Sequence, residues 1–281
     1  MPCSISPRRC ASIPGAASKS FFPDGELGQE VQLIEQLQAG KLDFVKASAS
    51  VVERFGPAYR VFNLPYVFRD REHWLNVATN ATGENLLAST AANGLVGLTF
   101  YEAGSRSFYG QKPFHHPDDL KGLKIRIQPS PTMSRLMQVF GAEGVQLAWE
   151  FVYNALRTGL VDGAENNVSA LVVGRHGEVV RHFTLNEHTM VPDVFLISAA
   201  RWSALSPAQQ TAVREAALAS HRRMNELWAQ FEAGARRAGE AMNVAFTHPD
   251  KKPFIERAAA IKREFAADQM MRELIKQIER A

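Results

Sequence analysis

Short apolar runs alternate with amphipathic stretches along most of this 281-residue chain, and that alternation limits the possible folds more than any other feature. Leu42–Ala47, Leu95–Tyr101, Leu123–Ile127, Val145–Leu147, Phe183–Leu185, Val194–Ile197 and Val244–Thr247 read as short strands. Tyr59–Phe68, broken by Pro65, reads as a strand leading into a turn. Between them Gln29–Gln38, Arg71–Ala92, Pro131–Gly141 and Trp149–Gly159 have helical spacing, and Gly40, Gly94 and Gly159 act as stops. Ser206-Pro207 opens a helix of about thirty residues, with Ser as the N-cap and Pro at the first helical position. Ile255–Arg280 is a final amphipathic helix or a pair of them. These spacings suit parallel crossover units and predict an α/β protein.

The composition, 46% hydrophobic and 22% charged, is that of a globular chain able to bury real cores. The net charge is +3, but basic and acidic residues are interspersed without a run of like charge, which argues against a nucleic-acid surface. No apolar stretch reaches the roughly eighteen residues of a membrane span. The first twenty residues, rich in Ser, Pro and Arg, lack the apolar core of a signal peptide and read as disordered or foreign to the fold. The two cysteines, Cys3 and Cys10, lie there and read as free thiols.

No metal-ligand spacing, nucleophile elbow, P-loop or dinucleotide fingerprint occurs, so no cofactor or metal is assigned and binding is favoured over catalysis. The informative stretch runs from Gly104 to Asn167. Arg126 sits in Lys124-Ile125-Arg126-Ile127-Gln128, where period two puts Lys124, Arg126 and Gln128 on one face. That face is either solvated or a guanidinium held at a cleft, where its planar fork suits a carboxylate. Arg106 precedes a loop rich in Pro and Gly. Asp162–Asn167 joins a strand to a helix, so its asparagines are either caps or amides offered to a ligand. Trp149 is either core or an apolar wall. Arg106, Arg126 and Asn166 brought together would clamp a small carboxylate.

The segments GELGQE, KLDFVKASAS, FNLPYVFRD, LKGLKIRIQPSPTM, EFVYNALRTGLVDGAENN and VPDVFLIS resemble the solute-binding subunit of tripartite ATP-independent periplasmic (TRAP) transporters, the DctP family, in order over residues 21–281. The resemblance implies a two-lobed α/β periplasmic-binding-protein fold with a long helix spanning both lobes. Lobe I is expected over 21–103 plus 192–231, and lobe II over 104–191 plus 232–281. It also implies a small carboxylate ligand (a sugar acid, hydroxy or keto acid, or dicarboxylate), delivery to the TRAP membrane permease subunits, and a periplasmic location. Residue by residue, Arg126 matches the family arginine that pairs with the ligand carboxylate, and Arg106 a second arginine. Asn166 matches an asparagine at the same end, and Trp149 an aromatic against the ligand. Glu30, Ser48 and Ser50 fall in first-lobe segments that usually meet the ligand's other end. The family pattern has a strand, a helix and a second strand before Phe22. Their replacement here by residues 1–20 predicts a first lobe lacking its N-terminal strand–helix, through a truncated, frame-shifted or mis-started reading frame. The rival expectations are a degenerate, non-binding paralogue and an enzyme acting on organic acids.

Overall fold

The computed structural model describes residues 28–281. The expectations for residues 1–20, for Cys3 and Cys10, and for the family elements before Phe22 lie outside the described residues. In chain order the first elements are α1 (Glu30–Gln38), β1 (Phe44–Ser48), α2 (Ala49–Val52), α3 (Arg71–Thr79), α4 (Ala81–Ala88), β2 (Leu95–Tyr101) and β3 (Arg106–Gly110). There follow β4 (Lys124–Ile127), α5 (Pro131–Phe140), β5 (Glu143–Gln146), α6 (Trp149–Thr158), β6 (Gly163–Asn166) and α7 (Ala170–Val173). The chain continues with β7 (His182–Thr189), β8 (Asp193–Ser198), α8 (Ala199–Ala204), α9 (Pro207–Ala241), β9 (Ala245–Thr247), α10 (Lys252–Phe265) and α11 (Gln269–Arg280).

The strands form two sheets, one for each lobe of an α/β fold. The first has the order β1-β8-β2 and is antiparallel throughout. The second has the order β5-β4-β6-β3-β7-β9. There β4 runs parallel to β5 and β6, and β7 to β9, while β3 is antiparallel to both its neighbours. The expected parallel crossovers therefore hold only in part of the second sheet. The chain passes between sheets at 102–105 and again at 190–192. Gly104 has φ +71° at the first crossing, and a Cβ there would lie 2.7 Å from Oε1 of Glu232 on α9, so glycine lets the crossing lie against the long helix.

Two local readings are corrected. Tyr59–Phe68 is not a strand, because Pro57–Asn63 forms a short 3-10 helix. Pro57 fits its first turn, and Tyr59, Val61 and Phe62 are all buried, so no face is left for strand alternation to mark. Phe62 packs on Phe100 at 5.1 Å and on Tyr59 at 5.9 Å, tying this helix to the first sheet. Arg106 begins a strand that runs to Gly110 ahead of the loop, and Gly163–Asn166 is a strand rather than a linker. Both are wholly buried in the second sheet, where partners distant in sequence satisfy their polar residues.

The long helix matches its signals. Ser206 closes a capping box with Gln209, worth about 1 kcal/mol, and the helix runs 35 residues. Near the first sheet its Ser220 Oγ lies 2.7 Å from Tyr101 Oη. Farther along, Gly239 packs on Leu171 and Phe246 of the second lobe. The C-terminal segment is a pair of helices. α10 packs on α5, whereas α11 reaches elements around α3: His73 Nε2 lies 2.7 Å from the Ile278 carbonyl, and Asn76 Nδ2 donates to the Ala281 carbonyl at 2.9 Å.

Candidate functional site

Arg126 lies on β4, an interior strand opposite Val145 on one side and Ala164 on the other. Only 1% of it is exposed. Nε and one terminal nitrogen donate to the Leu147 carbonyl at 3.0 and 2.6 Å. The other, Nη1, is buried and meets no acceptor among the described residues, and no ion pair neutralises the group. Burial pushes its pKa down, although arginine remains charged. A buried, unpaired guanidinium is costly to hold, and an anion bound at Nη1 would offset that cost.

Register places Arg126, Ala164 and Tyr109 on one face of the sheet, with Asn166 two residues from Ala164 on that face too. Arg106 takes the opposite face, with Phe108 and Glu165. There its Nε and Nη2 grip the Glu165 carboxylate at 2.6 and 2.8 Å, and Nη2 also donates to the Glu165 carbonyl at 2.9 Å. Its Nη1 donates to Asn166 Oδ1 at 2.9 Å. Burial alone would raise the Glu165 carboxyl, but the charge and hydrogen bonds of Arg106, with His188, hold it down at about 2. His188 is stacked on Phe108 at 4.4 Å, and burial pushes its pKa down. The charge of Arg106 is thus spent on Glu165. What reaches the Arg126 face is an oriented amide: Asn166 Oδ1 accepts from Arg106 and from the Asn167 N–H at 2.9 Å, leaving its NH₂ as the outward donor.

Trp149 opens α6 and is 37% exposed, so it is not a core residue. Its ring lies 5.0 Å from that of His176, whose Nδ1 is 2.8 Å from Tyr109 Oη. Burial and the nearby Arg126 charge lower the His176 pKa to about 4, so it is neutral at pH 7. At Gly174 a Cβ would come within 2.6 Å of His176 Nε2 and 2.8 Å of the Trp149 ring, so only glycine allows this packing. Sequence reasoning missed His176 and Tyr109. Each is isolated in sequence, and only strand pairing and the turn after α7 bring them together.

Residues of the first lobe approach the β4 end of this sheet through Gln128. The Ser48 N–H donates to Glu30 Oε1 at 2.9 Å, and Ser48 Oγ lies 3.3 Å from Gln128 Oε1, a contact between the lobes. Burial raises the Glu30 pKa, Asp193 adds to that, and Lys46, Ser48 and Arg126 oppose it. Lys46 forms an ion pair with Asp193; sequence reasoning passed over both, Lys46 as the charged residue of a strand and Asp193 as part of a turn before the strand Val194–Ile197. Their β1–β8 register puts Lys46, Ser48 and Asp193 on one face. Ser50 does not join them. It is fully buried, and its hydroxyl bonds Asn63, which bonds Glu53, which in turn accepts from Ser130 Oγ at 2.7 Å. Ser50 belongs to a structural chain that reaches the N-cap of α5. Among the described residues, no three acidic, histidine or cysteine side chains group to hold a metal.

The chain was compared with known proteins. The model of bacterial extracellular solute-binding protein family 7 (DctP) matches residues 12–269. The Salmonella typhimurium protein YiiZ is 40% identical over 86% of this chain and 75% of its own length. The C4-dicarboxylate-binding periplasmic protein DctP of Rhodobacter capsulatus is 32% identical over 72% of this chain, which spans only 61% of that protein. Among solved structures, a TRAP periplasmic solute-binding protein from Bradyrhizobium with bound α/β-D-galacturonate superposes with a TM-score of 0.90. It is 38% identical, covering 93% of this chain and 88% of its own. A Pseudomonas putida F1 counterpart with bound D-glucuronate gives a TM-score of 0.90 at 32% identity, over 93% and 86%. With family model, fold and relatives in agreement, this chain belongs to the DctP family of bacterial extracellular solute-binding proteins.

Proposed function

We propose that this protein captures a sugar acid in the periplasm and hands it to the membrane permease of a TRAP transporter. The observation that carries the reading is the buried Nη1 of Arg126, which meets no acceptor. A ligand carboxylate there gains a charge-assisted hydrogen bond and neutralises the guanidinium. Asn166 holds the same end, and Trp149 lies along the ligand's carbon face. Glu30, Ser48 and Gln128 meet its hydroxyls from the other side. Arg106 acts as a positioning residue that fixes the Asn166 amide.

Closure follows from the division between lobes. We place lobe I at 28–103 plus 192–231 and lobe II at 104–191 plus 232–268, with α11 packed on lobe I. A ligand touching both lobes stabilises only the state in which they meet, so binding shifts the population toward the closed form. The uronates bound by the solved relatives support the ligand class. No helix among the described residues is long and apolar enough to cross a membrane.

The test is calorimetric titration of the full chain with D-galacturonate and D-glucuronate. Arg126→Ala is expected to weaken binding by roughly 10² or more, the range for truncating one partner of a buried charge pair. Unchanged affinity in that variant, or no response to any uronate, refutes the proposal.

A further inference from the structure

The far end of the cleft carries its own charge pattern. Arg126 is the cation without a carboxylate partner, and Arg106 is neutralised by Glu165. On the first lobe Glu30 accepts the Ser48 N–H, and the β1–β8 register puts Ser48 opposite Asp193 and on one face with Lys46, which is already paired with Asp193. Glu30 has no ion-pair partner among the described residues and accepts only the Ser48 N–H. Ser48 Oγ also reaches Gln128 Oε1 at 3.3 Å, two residues past Arg126 in the chain, which brings this end toward the Arg126 site.

We infer that Glu30 and Asp193 exclude a second carboxylate, so that the cleft takes polyhydroxy monocarboxylates and rejects aldaric acids and short dicarboxylates. The inference rests on the proposed function and deepens it by fixing the charge of the ligand. Hydroxyl groups suit this end because they donate to Glu30 and Asp193 and accept from Lys46. A second carboxylate can only accept. It would find Lys46 engaged and would sit beside two like charges in a partly desolvated space, where repulsion is weakly screened. Selection here comes from a repulsive element, not from a missing contact.

The experiment compares D-galactonate with D-galactarate, two acyclic acids that differ only in oxidation of the last carbon to a carboxylate. D-galacturonate serves as the reference ligand, and titrations use the full chain, Glu30→Gln and Asp193→Asn, with folding checked by thermal unfolding. The wild type is expected to bind galactarate at least 100-fold more weakly than galacturonate. Glu30→Gln is expected to improve galactarate affinity tenfold or more while leaving a measurable uronate affinity. Asp193→Asn gives a second gain by releasing Lys46, and it decides the matter if Glu30→Gln fails to fold. If the wild type binds galactarate as tightly as galacturonate, the inference is wrong and the functional reading survives. If neither variant gains galactarate, whether or not galactonate binds, the inference is also overturned. If no uronate binds at all, both readings fall.

Discussion

Two arginines are buried in the same sheet, and the protein treats them in opposite ways. Arg106 meets a carboxylate in a two-pronged grip, an amide and a carbonyl. Arg126 meets one carbonyl and otherwise keeps its charge. Their strands are separated only by β6, and their residues face opposite sides of the sheet. The difference teaches that arginine type and burial do not mark a ligand site. What marks it is whether the fold already supplies the counter-charge.

The largest effect expected is on the compensated side. Glu165→Leu leaves Arg106 charged and unpaired in the core, and should cost about 3–5 kcal/mol of unfolding free energy in urea titrations. Adding Arg106→Met to that variant should recover most of the loss. If Glu165→Leu alone is neutral, Arg106 is not held by it.

On the uncompensated side the sign reverses. Arg126→Leu frees the Leu147 carbonyl of its donors, costing about 1 kcal/mol, but removes a buried unpaired charge. Stability without ligand should therefore stay level or rise by about 1–2 kcal/mol, even as binding is lost. A strong loss of stability would show that Arg126 is structural.

The pH dependence separates the two faces further. The folded pKa of His176, about 4, lies below the ordinary 6.5, so its contribution is full above pH 6.5 and fades as pH falls toward 4. About 1–3 kcal/mol should be lost over that window, and His176→Gln should remove that share of the loss, leaving what buried His188 on the other face adds. Glu165, held at about 2 against an ordinary 4.5, is fully stabilising above pH 4.5 and gives way only as pH falls toward 2. The two windows should appear as separate limbs in chemical denaturation followed against pH.

The smallest effect comes from a third fork. Arg175 grips Glu178 at 2.8 and 2.9 Å, much as Arg106 grips Glu165, but at the surface. Glu178→Gln should leave the melting temperature unmoved, because water screens the pair. A clear drop there would mean that burial is not what separates the forks.

Most of the helices could be read in the sequence because their signals are local. Ser130-Pro131 and Ser206-Pro207 each cap a helix whose observed start matches the reading. The strands Arg106–Gly110 and Gly163–Asn166 escaped because their buried Arg and Glu are tolerable only together, 59 residues apart. Pattern rules see each as polar and assign a loop. Arg126, Asn166 and Trp149 were candidates on residue type and position, with Arg126 left open between solvent and cleft, whereas Glu30 and Ser48 entered only through family resemblance. Lys46 was passed over because a charged residue in a strand reads as outward, and Asp193 because it follows Pro192 at a turn. Ser50 was over-read, since its hydroxyl serves the core.

The packing of α11 beside α3 bears on the order in which this protein can fold. His73 meets its carbonyl partner at Ile278, 205 residues farther along the chain. A contact of that span pays its loop-closure entropy late. Chain emerging from the ribosome or a translocon therefore cannot finish the region around α3 until α11 has followed it. Until then Trp74 and its neighbours lack part of their cover, and that interval is when the chain is most open to chaperones and proteases.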